Sequence, residues 1–83
     1  MQERLITAEQ IRAARSVLGW TTAQLSEKTG VATATLKRYE ATAGVPKFRK
    51  DSLQRIQSIF EAAGIEFIGS PDDAPGIRIH SVK

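Results

Sequence analysis

At 83 residues, with no cysteine and with 12 Lys and Arg against 9 Asp and Glu for a formal charge of +3, the chain has room for one small domain, held by packing rather than by disulfides or thiolate-bound zinc. Its apolar runs fall far short of the roughly 18 to 20 residues that span a bilayer, and Met1-Gln2-Glu3-Arg4 does not open a secretory signal, so a soluble, cytoplasmic protein with no membrane partner is expected. One histidine and no glycine-rich phosphate loop leave too few reactive groups for an active site, and no enzyme, catalytic residue, metal or cofactor is expected.

The first helix is predicted to start at Thr7. Thr7-Ala8-Glu9-Gln10 has the form of a capping box, in which the Thr hydroxyl takes an orphan amide and Gln10 reaches back. Ile11, Ala14 and Leu18 then fall on one face with Val17 beside them. Gly19 ends the helix, and Trp20 folds back onto its last turn as core or core edge. A second helix over about 22–29 is capped by Thr21, with Gln24 as the other half of a second box, and turns Leu25 and Ser26 inward. Gly30 supplies the left-handed residue that closes it. Beyond Val31 a third helix covers about 33–40, burying Leu36 and Tyr39 and leaving Thr33, Ala34, Lys37 and Arg38 outward. Two short helices across a tight turn are the layout of a helix-turn-helix.

Residues 41–50 read as a loop, marked by Gly44 and Pro46 and carrying Lys47, Phe48, Arg49 and Lys50. Asp51 is expected to cap a fourth helix, with Gln54 completing a third box. Leu53, Ile56, Ile59, Phe60 and Ala63 give that helix its apolar face, and Gly64 closes it. The remainder changes character: 65–68 and 77–82 are short and β-branched, and 69–76 between them holds two prolines and two aspartates, which predicts a β-hairpin around a loop. An isolated hairpin is marginal in water and its edges invite pairing, so it packs on the helices or pairs with its copy in a second chain. The second outcome is favoured because so small a core gains from a partner, and Phe67, Ile77 and Ile79 are then the dimerisation residues. The chain divides into 1–64, the helices, and 65–83, the hairpin.

Charge is uneven along this order. Residues 37–50 hold five bases, Lys37, Arg38, Lys47, Arg49 and Lys50, against the single acid Glu40, whereas 56–77 hold Glu61, Glu66, Asp72 and Asp73 and no base. One end is expected to attract phosphate and the other to repel it. Asp72 and Asp73 read as an acidic turn, and His80 as a surface or interface imidazole.

Arg15, Leu18-Gly19-Trp20, Leu25, Gly30-Val31, Thr35-Leu36, Arg38 and Glu40 stand in the order and spacing of the Xre, or Cro/CI-like, helix-turn-helix family of phage and bacterial regulators. Over 7–64 the chain resembles the small stand-alone members of that family, which include restriction-modification controllers and mobile-element switches. The resemblance implies a mainly α fold, a four-helix lambda-repressor-like domain, here followed by a short C-terminal β-hairpin. It implies binding to double-stranded DNA at a near-palindromic operator, as a homodimer, with repression or activation of transcription and RNA polymerase as a further partner.

By the same resemblance the third helix enters the major groove, with Thr33, Ala34, Lys37 and Arg38 at base-reading positions. The chemistry agrees, since Arg38 can pair bidentately with guanine, Thr33 can donate or accept, and the Thr33 or Ala34 methyl can touch thymine. Thr22, Thr35 and the amides opening the second helix then hold phosphates, and Lys47, Arg49 and Lys50 lie along the adjacent backbone and carry most of the salt-dependent affinity. Thr22 stands where the family usually has glutamine, and Ala32 where it has serine or threonine, which shortens one reach and removes one cap. Arg15 and Glu40 are assigned to structure, as the salt bridge the family commonly forms between its first and third helices.

The competing reading keeps the fold but uses it, or the hairpin, to hold a protein, as an interaction module of antitoxin or antiactivator type. The basic loop after the third helix favours DNA. No sensory domain is visible, so regulation by concentration and autoregulation is expected.

Overall fold

The helices begin and end where local chemistry stops the backbone. In the computed structural model, which describes residues 5–80, Thr7 caps α1 (Ala8–Leu18) and Thr21 caps α2 (Thr22–Thr29). Both capping boxes are closed. The Gln10 amide N–H donates to Thr7 Oγ1 at 3.1 Å while Thr7 N–H donates to Gln10 Oε1 at 2.8 Å, and Gln24 and Thr21 repeat the exchange at 3.0 and 2.8 Å. Gly19 and Gly30 end these helices at φ of 69° and 75°, in the left-handed region that costs a residue with a Cβ about 1 kcal/mol. The turn after Gly30 is held by Thr29, whose hydroxyl donates to the Leu25 carbonyl at 2.8 Å and accepts the Val31 N–H at 3.2 Å. α3 (Thr33–Glu40) follows at once.

α4 (Lys50–Ala62) corrects the sequence reading of its start. Arg49 is the N-cap and gives no side-chain cap, Lys50 belongs to the helix rather than the loop, and Asp51 already lies inside the first turn. From there its carboxylate complements the helix dipole, but it cannot close a box with Gln54. Ala63 is the C-cap, and Gly64 beyond it takes φ of 96°.

Ile11 and Ala14 of α1, Leu25 of α2, Leu36 and Tyr39 of α3, and Leu53, Ile56 and Phe60 of α4 meet in one core with Ile6 and Val31. Val17 is not part of it. One residue and about 100° around the helix from Leu18, it falls off the buried stripe and stays 47% exposed. Trp20 is at the core edge, stacked on Phe60 with centroids 5.7 Å apart, and the Lys28 ammonium lies 4.8 Å from its ring.

The hairpin is longer and tighter than the sequence suggested. β1 (Ile65–Ser70) and β2 (Asp73–Ile79) are antiparallel and leave only Pro71 and Asp72 as the turn, so most of the expected 69–76 loop is strand. Ile65 pairs with Ile79, Phe67 with Ile77 and Ile68 with Gly76, after which Ser70 meets Asp73, so that Gly69 alone stands opposite Ala74 and Pro75. Such a bulge tolerates a proline that has no N–H for the ladder. Gly69 is required there. Its φ is 75°, and a Cβ would lie 2.2 Å from the Ala74 carbonyl oxygen. The two strand residues Ser81 and Val82 expected beyond His80 lie outside the described residues.

One face of the hairpin closes the core of its own chain. Phe67 sets its ring against Phe60, centroids 6.0 Å apart, and Ile65 is equally buried. Gln10, at the start of α1, donates through Nε2 to the carbonyls of Ile68 and Gly76 at 3.2 and 2.8 Å. The radius of gyration, 11.7 Å, is what a folded chain of this length has, roughly 12 Å, so the hairpin does not stand away from the helices. This corrects one expectation, the placing of Phe67 at a dimer contact. The hairpin packs on the helices, and Phe67, at 1% exposure, has no surface left for a second chain. Ile77 is half-buried and Ile79 is 60% exposed. No helix among the described residues is long and apolar enough to cross a membrane.

Candidate nucleic-acid interface

The candidate surface is built from α3 and the segment that leads from it into α4. On α3 the spacing of Leu36, Tyr39 and Glu40 commits one side to the core, which leaves Ala34, Lys37 and Arg38 exposed and Thr33 and Thr35 half-buried. Ala32, at the N-cap, makes no side-chain cap. The Thr42 hydroxyl donates to the Arg38 carbonyl at 3.1 Å and carries the turn past the end of the helix.

The only acid between Lys37 and Lys50 is turned inward. Glu40 is 8% exposed, and its carboxylate accepts from Arg15 Nε at 3.0 and 3.2 Å and from Arg15 Nη2 at 2.9 Å. Arg15 also donates to the Trp20 carbonyl at 3.0 Å. The hydrogen bonds it donates to Glu40 raise the pKa of Arg15, against some desolvation and with the help of the opposite charge. Arg12 donates through Nη1 to the Glu40 carbonyl oxygen. The pair therefore ties α1 to α3, and with its negative charge matched internally the outward charged side chains of this stretch, Lys37, Arg38, Lys47, Arg49 and Lys50, are all basic and exposed.

The linking segment is anchored at two points. Gly44 accepts the Ala8 N–H at 2.8 Å and donates its own N–H to the Glu9 carboxylate at 3.2 Å, which fixes it to the first turn of α1. Glu9 titrates below the usual carboxylate range because of backbone hydrogen bonds, its own first and that of Gly44 second, with Arg12 nearby adding to the effect. Phe48 then packs edge-on against Tyr39, centroids 4.8 Å apart. Between the anchors, Lys47 and Arg38 line a shared cavity of about 460 Å³, with Tyr39, Thr42, Val45 and Pro46 as the rest of its lining.

At the start of α2 the capping box consumes two of the amides expected to hold phosphate. Thr21 and Gln24 N–H are bonded to each other's side chains, which leaves the N–H groups of Thr22 and Ala23 in the first turn; Thr22 itself is half-buried. Arg15 and Glu40 form the ion pair that the resemblance implies. Arg38 and Lys47 line one cavity, whereas Phe67 and Ile79 share a face of the hairpin through their pairing with Ile77 and Ile65 and differ in depth, Phe67 being buried and Ile79, at the end of its strand, exposed. Sequence reasoning missed Glu9, Arg12 and Gly44 as the clamp on the basic segment, and it missed the cavity. Nothing local in Glu9 or Gly44, 35 positions apart, marks them as partners.

In comparisons with known proteins, no family model and no curated protein matches the chain.

Proposed function

We propose that the protein is a DNA-binding transcriptional regulator of the Cro/CI-like helix-turn-helix type, a binding protein rather than an enzyme, in which α2 and α3 form the motif and α3 lies in the major groove. The observation that carries the reading is the concentration of exposed bases on α3 and the segment after it, with the one intervening acid, Glu40, held inside by Arg15. A helix presenting Ala34, Lys37 and Arg38, with Thr33 at its start, offers a guanidinium for guanine and methyl groups for thymine. Lys47, Arg49 and Lys50 beside it offer sequence-independent contacts to phosphate.

The operator is double-stranded and near-palindromic, read by a homodimer with half-sites about one helical turn, ~34 Å, apart or a multiple of that. Ile77 and Ile79 form the contact between the chains, and RNA polymerase is the further partner where the bound site lies beside a promoter. An interaction module of antitoxin type is the reading this competes with, and salt dependence separates the two. Binding to the DNA upstream of the gene, titrated at several salt concentrations, is expected to weaken with a log–log slope near −0.9 per phosphate neutralised. A slope near zero, or no binding, sinks the reading.

A further inference from the structure

The cavity between α3 and the linking segment has features that DNA contact does not account for. Its floor is apolar, formed by Tyr39, Val45 and Pro46, and two exposed cations, Arg38 and Lys47, stand on its rim with no acid in the lining. At about 460 Å³ it falls within the range of small-molecule sites, roughly 300 to 1,000 Å³. It is also preformed. Gly44 is bonded to Ala8 and Glu9 on one side, Phe48 is packed on Tyr39 on the other, and proline fixes the backbone between them. A duplex backbone needs positive charge but has little use for a recess with an apolar floor, and a neutral apolar ligand would have no need of the two cations.

We propose that this cavity binds a small amphipathic monoanion, its chain or ring on Tyr39, Val45 and Pro46 and its carboxylate or sulfonate between Arg38 and Lys47. Such a ligand occupies the guanidinium that reads the operator, so it competes with DNA; this second half rests on the DNA reading above. Control would then be by a ligand as well as by concentration.

Octanoate is the probe, with octanol and acetate as its neutral and its short counterparts. In an amide NMR titration of the full chain, octanoate is expected to shift Arg38, Tyr39 and residues 42–47 saturably, while octanol and acetate shift them far less. Lys47→Gln should weaken octanoate roughly two- to fivefold, the span of an exposed ion pair. Lys28→Gln removes the same charge from α2 and should leave octanoate binding unchanged. Octanol binding as well as octanoate, equal loss in both variants, or shifts spread over Leu5, Val17 and Ile79 instead would overturn the site. A fluorescently labelled duplex then tests the competition. Octanoate binding that leaves bound duplex in place overturns the competition alone, whereas failure of any duplex to bind removes the DNA reading and leaves the anion site standing.

Discussion

Arg15 and Glu40 face each other across α1 and α3 with three nitrogen–oxygen contacts of 2.9 to 3.2 Å, the carboxylate almost wholly buried and the guanidinium about one quarter exposed. Removing one partner leaves the other's charge desolvated without compensation, and for a hydrogen-bonded charge the loss is about 2 to 3 kcal/mol. Glu40→Ala is therefore expected to lower the melting temperature by about 10 to 20 °C in a chain this small. The order of preference among DNA sequences should not change, because Glu40 presents nothing to the groove. Thermal unfolding and binding to a panel of duplexes check both halves, and a changed preference at unchanged stability would contradict the assignment.

Gln10 has a similar structural weight with no charge. Its amide closes the capping box with Thr7 and also satisfies the Ile68 and Gly76 carbonyls, so one side chain joins the start of α1 to the hairpin. Gln10→Leu keeps the volume and strips three backbone groups of a partner. A loss of about 2 to 4 kcal/mol is expected, with the hairpin amides exchanging first in a hydrogen-exchange experiment. Loss below about half a kcal/mol, the level of an ordinary surface substitution, would show that the hairpin docks without it.

Glu9 gives the fold a pH dependence of known sign. Its folded pKa lies below the ordinary value of 4.5 because the charged carboxylate accepts backbone hydrogen bonds, from its own N–H first and from Gly44 second. The unfolded chain thus binds the proton more readily. The stabilisation is complete above about pH 4.5 and is lost as pH falls through the depressed folded value. Glu9→Gln should flatten the acid limb of a stability-against-pH curve and loosen residues 42–47. An acid limb identical to that of the parent chain would exclude the clamp as its origin.

Ile79 lies 60% exposed on the strand that Ile65 pairs with, and nothing in the core depends on it. Ile79→Lys is expected to convert a dimer to a monomer in analytical ultracentrifugation while changing stability by less than about half a kcal/mol beyond the loss of association. Unchanged association would move the dimer contact away from the hairpin.

Much of the helical layout was legible because helix ends are written locally. Thr7 and Gln10, or Thr21 and Gln24, are three residues apart, and Gly19 and Gly30 announce their own conformations. The capping pattern failed at Asp51, where the same letters fall inside the helix because Arg49 takes the N-cap position and Lys50 enters the helix first. The hairpin was legible as a hairpin but not in its extent, since Gly69, Ala74 and Pro75 read as loop residues and only their pairing across a bulge makes them strand. The alternation of Ile65, Phe67, Ile77 and Ile79 with Glu66, Arg78 and His80 marks the apolar face of the hairpin, but only the packing of distant segments decides what covers it, and Phe67 is taken by the core of its own chain. In the candidate site the outward residues of α3 followed from helical spacing alone. The inward turn of Glu40 came from a resemblance, and the clamp of Glu9 on Gly44 and the cavity beside Arg38 arise only when distant segments meet.

The most direct test is the sequence preference of the chain with and without Arg38. Selection of bound duplexes from a random pool, followed by affinity measurement at fixed salt, is expected to yield a near-palindrome in which Arg38→Ala costs about 1 to 3 kcal/mol and relaxes discrimination at one position in each half-site. If no sequence is enriched, or if Arg38→Ala binds the enriched sequence as tightly and as selectively as the parent chain, α3 does not read DNA and the account fails.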